Sequence, residues 1–192
     1  MADEKSRDFG SSITHQQHPS LKAEMWVWLR DVAFAVALAL IIIVFLYQPV
    51  KVEGTSMAPL LSDQERIFIN KFVYRFEPIH RDDVIVFWYP LDRSESFIKR
   101  VIGLPGDTIE IREGDLYING KKVNEPYVPK RYFDDSSYGP VAIPSDEYFV
   151  MGDHRDSSND SRIFGPVARK YIYGKAVFAY WPFRRFGEIS AP

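Results

Sequence analysis

Residues Val32–Tyr47 read VAFAVALALIIIVFLY, sixteen positions without a charge or a proline. A helix apolar on every side must be buried all round, either in protein or in lipid. A bilayer-spanning helix needs roughly 20 mainly apolar residues. The run reaches that length with its flanks, Met25-Trp-Val-Trp-Leu29 on one side and Gln48 on the other. Trp26, Trp28 and Tyr47 then fall where interfacial aromatics prefer to lie, with Arg30 and Asp31 at headgroup level. The segment upstream is long and mixed in charge, and Gln48-Pro-Val-Lys-Val52 holds no small-x-small cleavage pattern. The expectation is an uncleaved signal anchor over 25–48. Lys22 and Arg30 near its first end, against Lys51 near its second, bias the N-terminus toward the cytoplasm. Residues 49–192 then lie outside.

The 192-residue length accommodates one sizeable domain beyond such an anchor. Residues 1–24 are polar and read as a disordered cytoplasmic tail, with His15 and His18 solvated rather than metal-bound. Net charge is −2, so the balance offers no electrostatic footprint for nucleic acid. There is no cysteine, which excludes disulfides, thiolate metal sites and cysteine catalysis.

After residue 49 the period changes from helical to extended. Val50–Glu53, Arg66–Phe72, Asp83–Tyr89, Phe97–Ile102, Thr108–Arg112, Glu147–Met151 and Lys175–Trp181 are short, rich in β-branched and aromatic residues, and bounded by Gly, Pro or Asp. Leu116–Val123 predicts a hairpin turning at Asn119-Gly120 in a type I′ loop. The fold class is mostly β: a coiled antiparallel sheet or barrel preceded by one transmembrane helix. A Pro- and Tyr-rich stretch suggests a small inserted lobe or lid over about 112–145. Two aromatic groups, Phe87-Trp-Tyr89 and Trp181 with Phe183 and Phe186, fit either core packing or a membrane interface.

Ser56 follows Gly54-Thr55, where serine serves either as a turn residue or as a nucleophile that needs a base. His80 precedes a strand and reads as exposed. His154 lies in a block of Asp, Arg and Ser without metal-ligand spacing, so no metal site is expected there. Lys99 shares a strand face with Phe97 and Val101. Desolvation there would lower its pKa and make it a base, whereas a lysine that snorkels to solvent is the commoner outcome. Gly103-Leu-Pro-Gly-Asp107 lacks the glycine count and the Lys-Ser/Thr ending of a phosphate loop, and reads as a turn.

The order of an anchor, Gly54-Thr-Ser-Met-Ala-Pro59, Phe97-Ile-Lys-Arg-Val-Ile-Gly-Leu-Pro-Gly-Asp107 and Gly152-Asp-His-Arg-Asp-Ser-Ser-Asn-Asp-Ser-Arg-Ile-Phe-Gly165 resembles the bacterial type I signal peptidases. The likeness covers about 30–182. It implies a Ser-Lys dyad, with Ser56 as nucleophile and Lys99 as general base, and no metal or cofactor. It further implies that Ser158 orients the lysine amine and that Asp160 and Arg162 form a supporting ion pair near Asp153. The implied partners are the lipid bilayer and exported preproteins with small residues before the cut, processed at the outer face of the cytoplasmic membrane. Three positions depart from the family pattern: Leu60 where threonine is common, Gly54 where some members carry a hydroxyl residue, and His154 where asparagine is frequent. A self-cleaving Ser-Lys repressor and a non-enzymatic anchored β-domain are the rivals. The anchor counts against the first, and the ordered motifs against the second.

Overall fold

Val84–Trp88 is apolar at every position, and a strand of that kind has to be covered on both faces. In the computed structural model, which describes residues 21–189, Val84 and Val86 enter one core cluster while Ile85 and Phe87 enter another. That strand is the spine of the larger of two sheets.

The elements run in chain order as helix α1 (Leu21–Leu46), β1 (Tyr47–Lys51), β2 (Arg66–Asn70), α2 (Val73–Phe76), β3 (Val84–Trp88), β4 (Ser96–Gly103), β5 (Thr108–Arg112), β6 (Asp115–Ile118), β7 (Lys121–Lys122), β8 (Tyr138–Ala142), β9 (Glu147–Met151), α3 (Ser161–Phe164), β10 (Val167–Ala168), β11 (Ile172–Trp181) and β12 (Gly187–Glu188). The chain divides into two units between Ile42 and Ile43, inside α1, so the last turn of the helix belongs with the β-rich unit. Residues Glu24–Ile43 of α1 are long and apolar enough to cross a membrane, and none of that span is buried within the protein. The described residues are helical from Leu21, inside the expected tail, and the helix stops at Leu46, because Tyr47 already pairs with Asn70 as the first residue of a strand. The rest of the expected tail, with His15 and His18, lies outside the described residues.

The larger sheet is antiparallel, in the order β1-β2-β11-β3-β4-β9-β10 with β12 added to β11. Its coiling brings β1 and β4, separated by three strands in that order, to opposite walls of one cleft. The expected mostly-β fold with a curled antiparallel sheet is therefore observed. The smaller sheet, in the order β7-β6-β5-β8, carries the inserted lobe and spans 108–142. The lobe starts at Thr108, ahead of the expected Arg112, because β5 belongs wholly to the small sheet. Asn119 and Gly120 have φ of 52° and 77° and join Ile118 to its pairing partner Lys121, the geometry of a type I′ loop. Ile102, Phe149 and Met151 of the large sheet pack with Ile109, Ile111 and Leu116 of the lobe in a shared core.

The two aromatic groups have different fates. Phe87 is fully buried and Tyr89 stacks on Phe97, so the first is chiefly core. Phe183 and Phe186 stay 75% and 64% exposed, so core packing does not account for the second.

Candidate active site

Ser56 is held at the surface by buried neighbours. Val52, Met57 and Leu61 are core residues, and the Leu61 N–H donates to the Met57 carbonyl at 2.8 Å. Gly54 has φ of 89°, and a Cβ there would meet nothing within 4 Å. Its glycine therefore serves backbone conformation rather than close approach. Close approach occurs behind the serine instead, at Gly152. A Cβ on Gly152 would lie 2.4 Å from the Ser56 carbonyl oxygen and 2.3 Å from Ser158 Oγ. His154 completes the backing: its N–H donates to the Ser56 carbonyl at 3.1 Å, and its Nδ1 lies 3.1 Å from the Thr55 carbonyl.

Lys99 reaches Ser56 from β4. Nζ lies 2.8 Å from Ser56 Oγ and 3.1 Å from the Ile98 carbonyl, and the residue is 4% exposed. The alternative in which the lysine snorkels to solvent is thus excluded. Burial lowers its pKa from 10.5 to about 8, against the opposing pull of the Asp160 and Asp153 carboxylates. Phe97 covers the amine, with Nζ 5.1 Å from the ring centroid.

Ser158 Oγ is buried beside Ser56 and has no hydrogen-bond partner among the described residues. It does not contact the lysine amine in this arrangement. Asp160 is fully buried, accepts from the Gly152 N–H at 3.1 Å and pairs with Arg162 Nε at 2.9 Å. It also caps α3 by accepting the Arg162 backbone N–H. Asp153 forms no bond to the dyad. Its carboxylate grips Arg100, with Nε at 2.8 Å and a second guanidinium nitrogen at 2.7 Å. Arg100 is 0% exposed, lies 4.1 Å above the Tyr127 ring, and donates to the Asp82 carbonyl.

Sequence reading missed Arg100 and its surroundings. The signal available was a charge inside the apolar strand text Phe97-Ile-Lys-Arg-Val-Ile102, one step out of phase with Lys99, so facing the other way and in need of a partner. Also missed were the acids of the lobe. Glu125 binds Arg155 with both oxygens, Arg155 Nε donates to the Gly152 carbonyl, and Asp134 pairs with Arg162 at 2.6 Å. Tyr132 packs on His154 with the rings tilted by 42° and their centroids 3.9 Å apart. His80 is exposed, as expected.

A cleft of about 480 Å³ opens at the dyad between the end of β1 and the start of β4. Val52, Met57, Val86 and Ile98 give it an apolar wall. Ser96–Lys99 of β4 pair with β3 alone, since β9 joins only from Arg100 onward. That stretch of strand therefore has one unpaired edge toward the cleft, where the Ile98 carbonyl already accepts from Lys99 Nζ. The Ser56 N–H also has no partner among the described residues. No cluster of His, Cys, Asp or Glu among the described residues could hold a metal ion.

The family model for signal peptidase, peptidase S26, matches residues 25–181. Signal peptidase I of Bacillus licheniformis is 39% identical over 190 residues, covering 93% of this chain and 100% of that protein. Signal peptidase I S of Bacillus subtilis (strain 168) is 40% identical over 185 residues, covering 91% and 98%. A solved signal peptidase I from Enterococcus faecalis V583 aligns at 34% identity with a TM-score of 0.47, over 52% of this chain and 97% of that one.

Proposed function

The chain belongs to the signal peptidase family, peptidase S26, a hydrolase that removes signal peptides from preproteins by serine-protease chemistry, and within that activity we propose that Ser56 is the nucleophile and Lys99 its general base. The observation that carries this reading is the 2.8 Å approach of a buried, unpaired lysine amine to a serine hydroxyl. An amine with a pKa of about 8 is neutral in roughly a tenth of molecules at pH 7, against well under a thousandth for a solvated lysine.

In the proposed reaction the Ser56 Oγ–H passes its proton to neutral Lys99 as Oγ attacks the scissile carbonyl. The Ser56 N–H, free and without help from a side chain at Gly54, stabilises the oxyanion. The lysine ammonium then returns its proton to the departing amine, leaving an acyl ester that water hydrolyses with Lys99 again as base. Ser158, buried and unpartnered, is the acceptor that steadies the ammonium once it forms. Asp160 and Arg162 hold Gly152 and α3 behind the serine. Asp153 acts at one remove, by fixing Arg100.

The free edge at Ser96–Lys99 accommodates an extended substrate as an added strand, which reads main chain rather than sequence. The apolar wall beneath it is suited to small side chains before the cut. Residues 49–192 are proposed as the peptidase domain, anchored by 25–48 with the N-terminus cytoplasmic and the domain at the outer face of the cytoplasmic membrane. Anchoring there raises the effective concentration of enzyme at substrates held in the same bilayer.

The test is cleavage of a preprotein by the full chain in detergent. Wild type cleaves with kcat/KM rising through a midpoint near pH 8, and Ser56→Ala does not cleave. Cleavage by Ser56→Ala, or a midpoint that moves on removal of His154, overturns the dyad.

A further inference from the structure

Lys71, Arg75 and Arg169 line one cavity of about 740 Å³ that adjoins the active-site cleft at Ser96 but does not reach the dyad, and no acidic residue lines it with them. Among the described residues none of the three is ion-paired, in a chain whose net charge is negative. Elsewhere exposed cations find local acids, as in Lys51–Glu53, Arg112–Glu110 and Lys122–Asp115. Two of the three are held in place without being neutralised. The Arg75 guanidinium lies 4.6 Å over the Phe72 ring, and Arg169 donates to the Tyr74 and Ile172 carbonyls. Glu77, the nearest acid in sequence to Arg75, does not line the cavity.

The cavity sits where the apolar helix ends. The Lys71 N–H donates to the carbonyl of Leu46, the last residue of α1, and Asn70 pairs with Tyr47. Phe45 and Gln48 also contribute to its wall. Trp88 packs against Tyr173 at its side, and Phe76 on α2 is 84% exposed next to Arg75. Aromatics flanking cations at the end of an apolar helix are the composition of a membrane interface.

We infer that this cavity binds the phosphate headgroup of an anionic membrane lipid, at a site separate from the dyad. The inference rests on the anchored reading above, because only a chain held in a bilayer presents Lys71 at headgroup depth. Lys71 and Arg75 supply the charge, Arg169 a fixed donor, and the exposed aromatics the contact with the acyl boundary. Each cation near an anionic surface contributes about a fivefold gain in binding, so Lys71 and Arg75 together give about thirtyfold.

The experiment uses the full chain in mild detergent, with retained lipid counted by native mass spectrometry. Wild type retains dioleoylphosphatidylglycerol in strong preference to dioleoylphosphatidylcholine. Lys71→Gln/Arg75→Gln lowers that retention about thirtyfold, and each single change about fivefold, should the double variant fold poorly. Hydrolysis of a soluble peptide is unchanged in all of these variants, which separates this site from the catalytic reading. Equal retention of the two lipids overturns the inference, and so does loss of phosphatidylglycerol to millimolar inorganic phosphate, which marks a free-anion site. A wild-type chain that floats with neither lipid as vesicles overturns both this inference and the anchored reading beneath it.

Discussion

Lys99 and Arg100 are consecutive on one strand, both are nearly inaccessible, and they live in opposite electrostatic worlds. Arg100 has a two-pronged carboxylate, a carbonyl and an aromatic face, and against the lowering pull of burial Asp153 holds its pKa up. Lys99 has a hydroxyl, one carbonyl and a ring, with no carboxylate in contact, and burial brings its pKa down to about 8. The alternation of side chains along a strand is enough to separate them. One face keeps a charge by pairing it, and the other discourages a charge by leaving it alone. Structure and chemistry are thus divided between neighbouring residues.

The comparison breaks most visibly at the lysine. Lys99→Arg, which cannot deprotonate, loses about four orders of magnitude in kcat, as does Lys99→Ala. Single-turnover cleavage of a preprotein measures it, and activity in the arginine variant would falsify the claim that this face needs a neutral base. Arg100→Met is the counterpart on the other face. It strands a buried Asp153 carboxylate and costs about 3–5 kcal/mol in denaturant titration. Arg100→Met/Asp153→Leu recovers much of that loss, and no recovery would mean that the pair matters beyond neutralising Asp153.

Lys99→Met sharpens the contrast by reversing the sign on stability. With a native pKa near 8 against 10.5 unfolded, the native state sheds its proton first as pH rises. The unfolded state therefore holds more protons between about pH 8 and 10.5, and stability rises with pH across that window. Below it the native state carries the full cost of a buried ammonium, about 3 kcal/mol. Lys99→Met is expected to be more stable than wild type at neutral pH by up to about that amount and inactive. Melting curves at pH 7 and pH 10 check it, since the advantage shrinks at the higher pH. The smallest effect belongs to His154→Ala. It removes the Nδ1 contact to Thr55 and the packing with Tyr132, and it leaves the base in place. A loss of a few-fold in kcat/KM with an unchanged pH midpoint is the expected result, and a shifted midpoint would implicate the imidazole in proton transfer.

The strands of the large sheet were legible because burial demands apolar, β-branched text, and Val84–Trp88 carries nothing else. β8 was not, since Tyr138-Gly-Pro-Val-Ala142 breaks its own alternation, and the two-residue strands β10 and β12 are too short for any period. β11 begins at Ile172, ahead of the expected Lys175, because its pairing with β3 runs past Gly174 through an irregularity. At the site, Ser56 and Lys99 stood out through local motifs. The partner of Arg100 lies 53 residues away, and Glu125 and Asp134 reach their arginines from the lobe. No periodicity encodes a pairing across that separation. Pairing of β4 with β9 brings Asp153 to Arg100, and the packing of the lobe on the large sheet brings Glu125 and Asp134 to their arginines.

The one-sided strand at Ser96–Lys99 has a consequence for self-association. An edge proposed to receive a substrate strand cannot be shielded by a partner strand, a proline or a bulge, and open edges invite pairing with other molecules of the same protein. This one is short, and an inward-facing lysine stands at its end. Shortness and an inward charge are both features that discourage strands from docking edge to edge. The residue proposed as the base is thus also the one charge that this edge turns inward against pairing with its own copies.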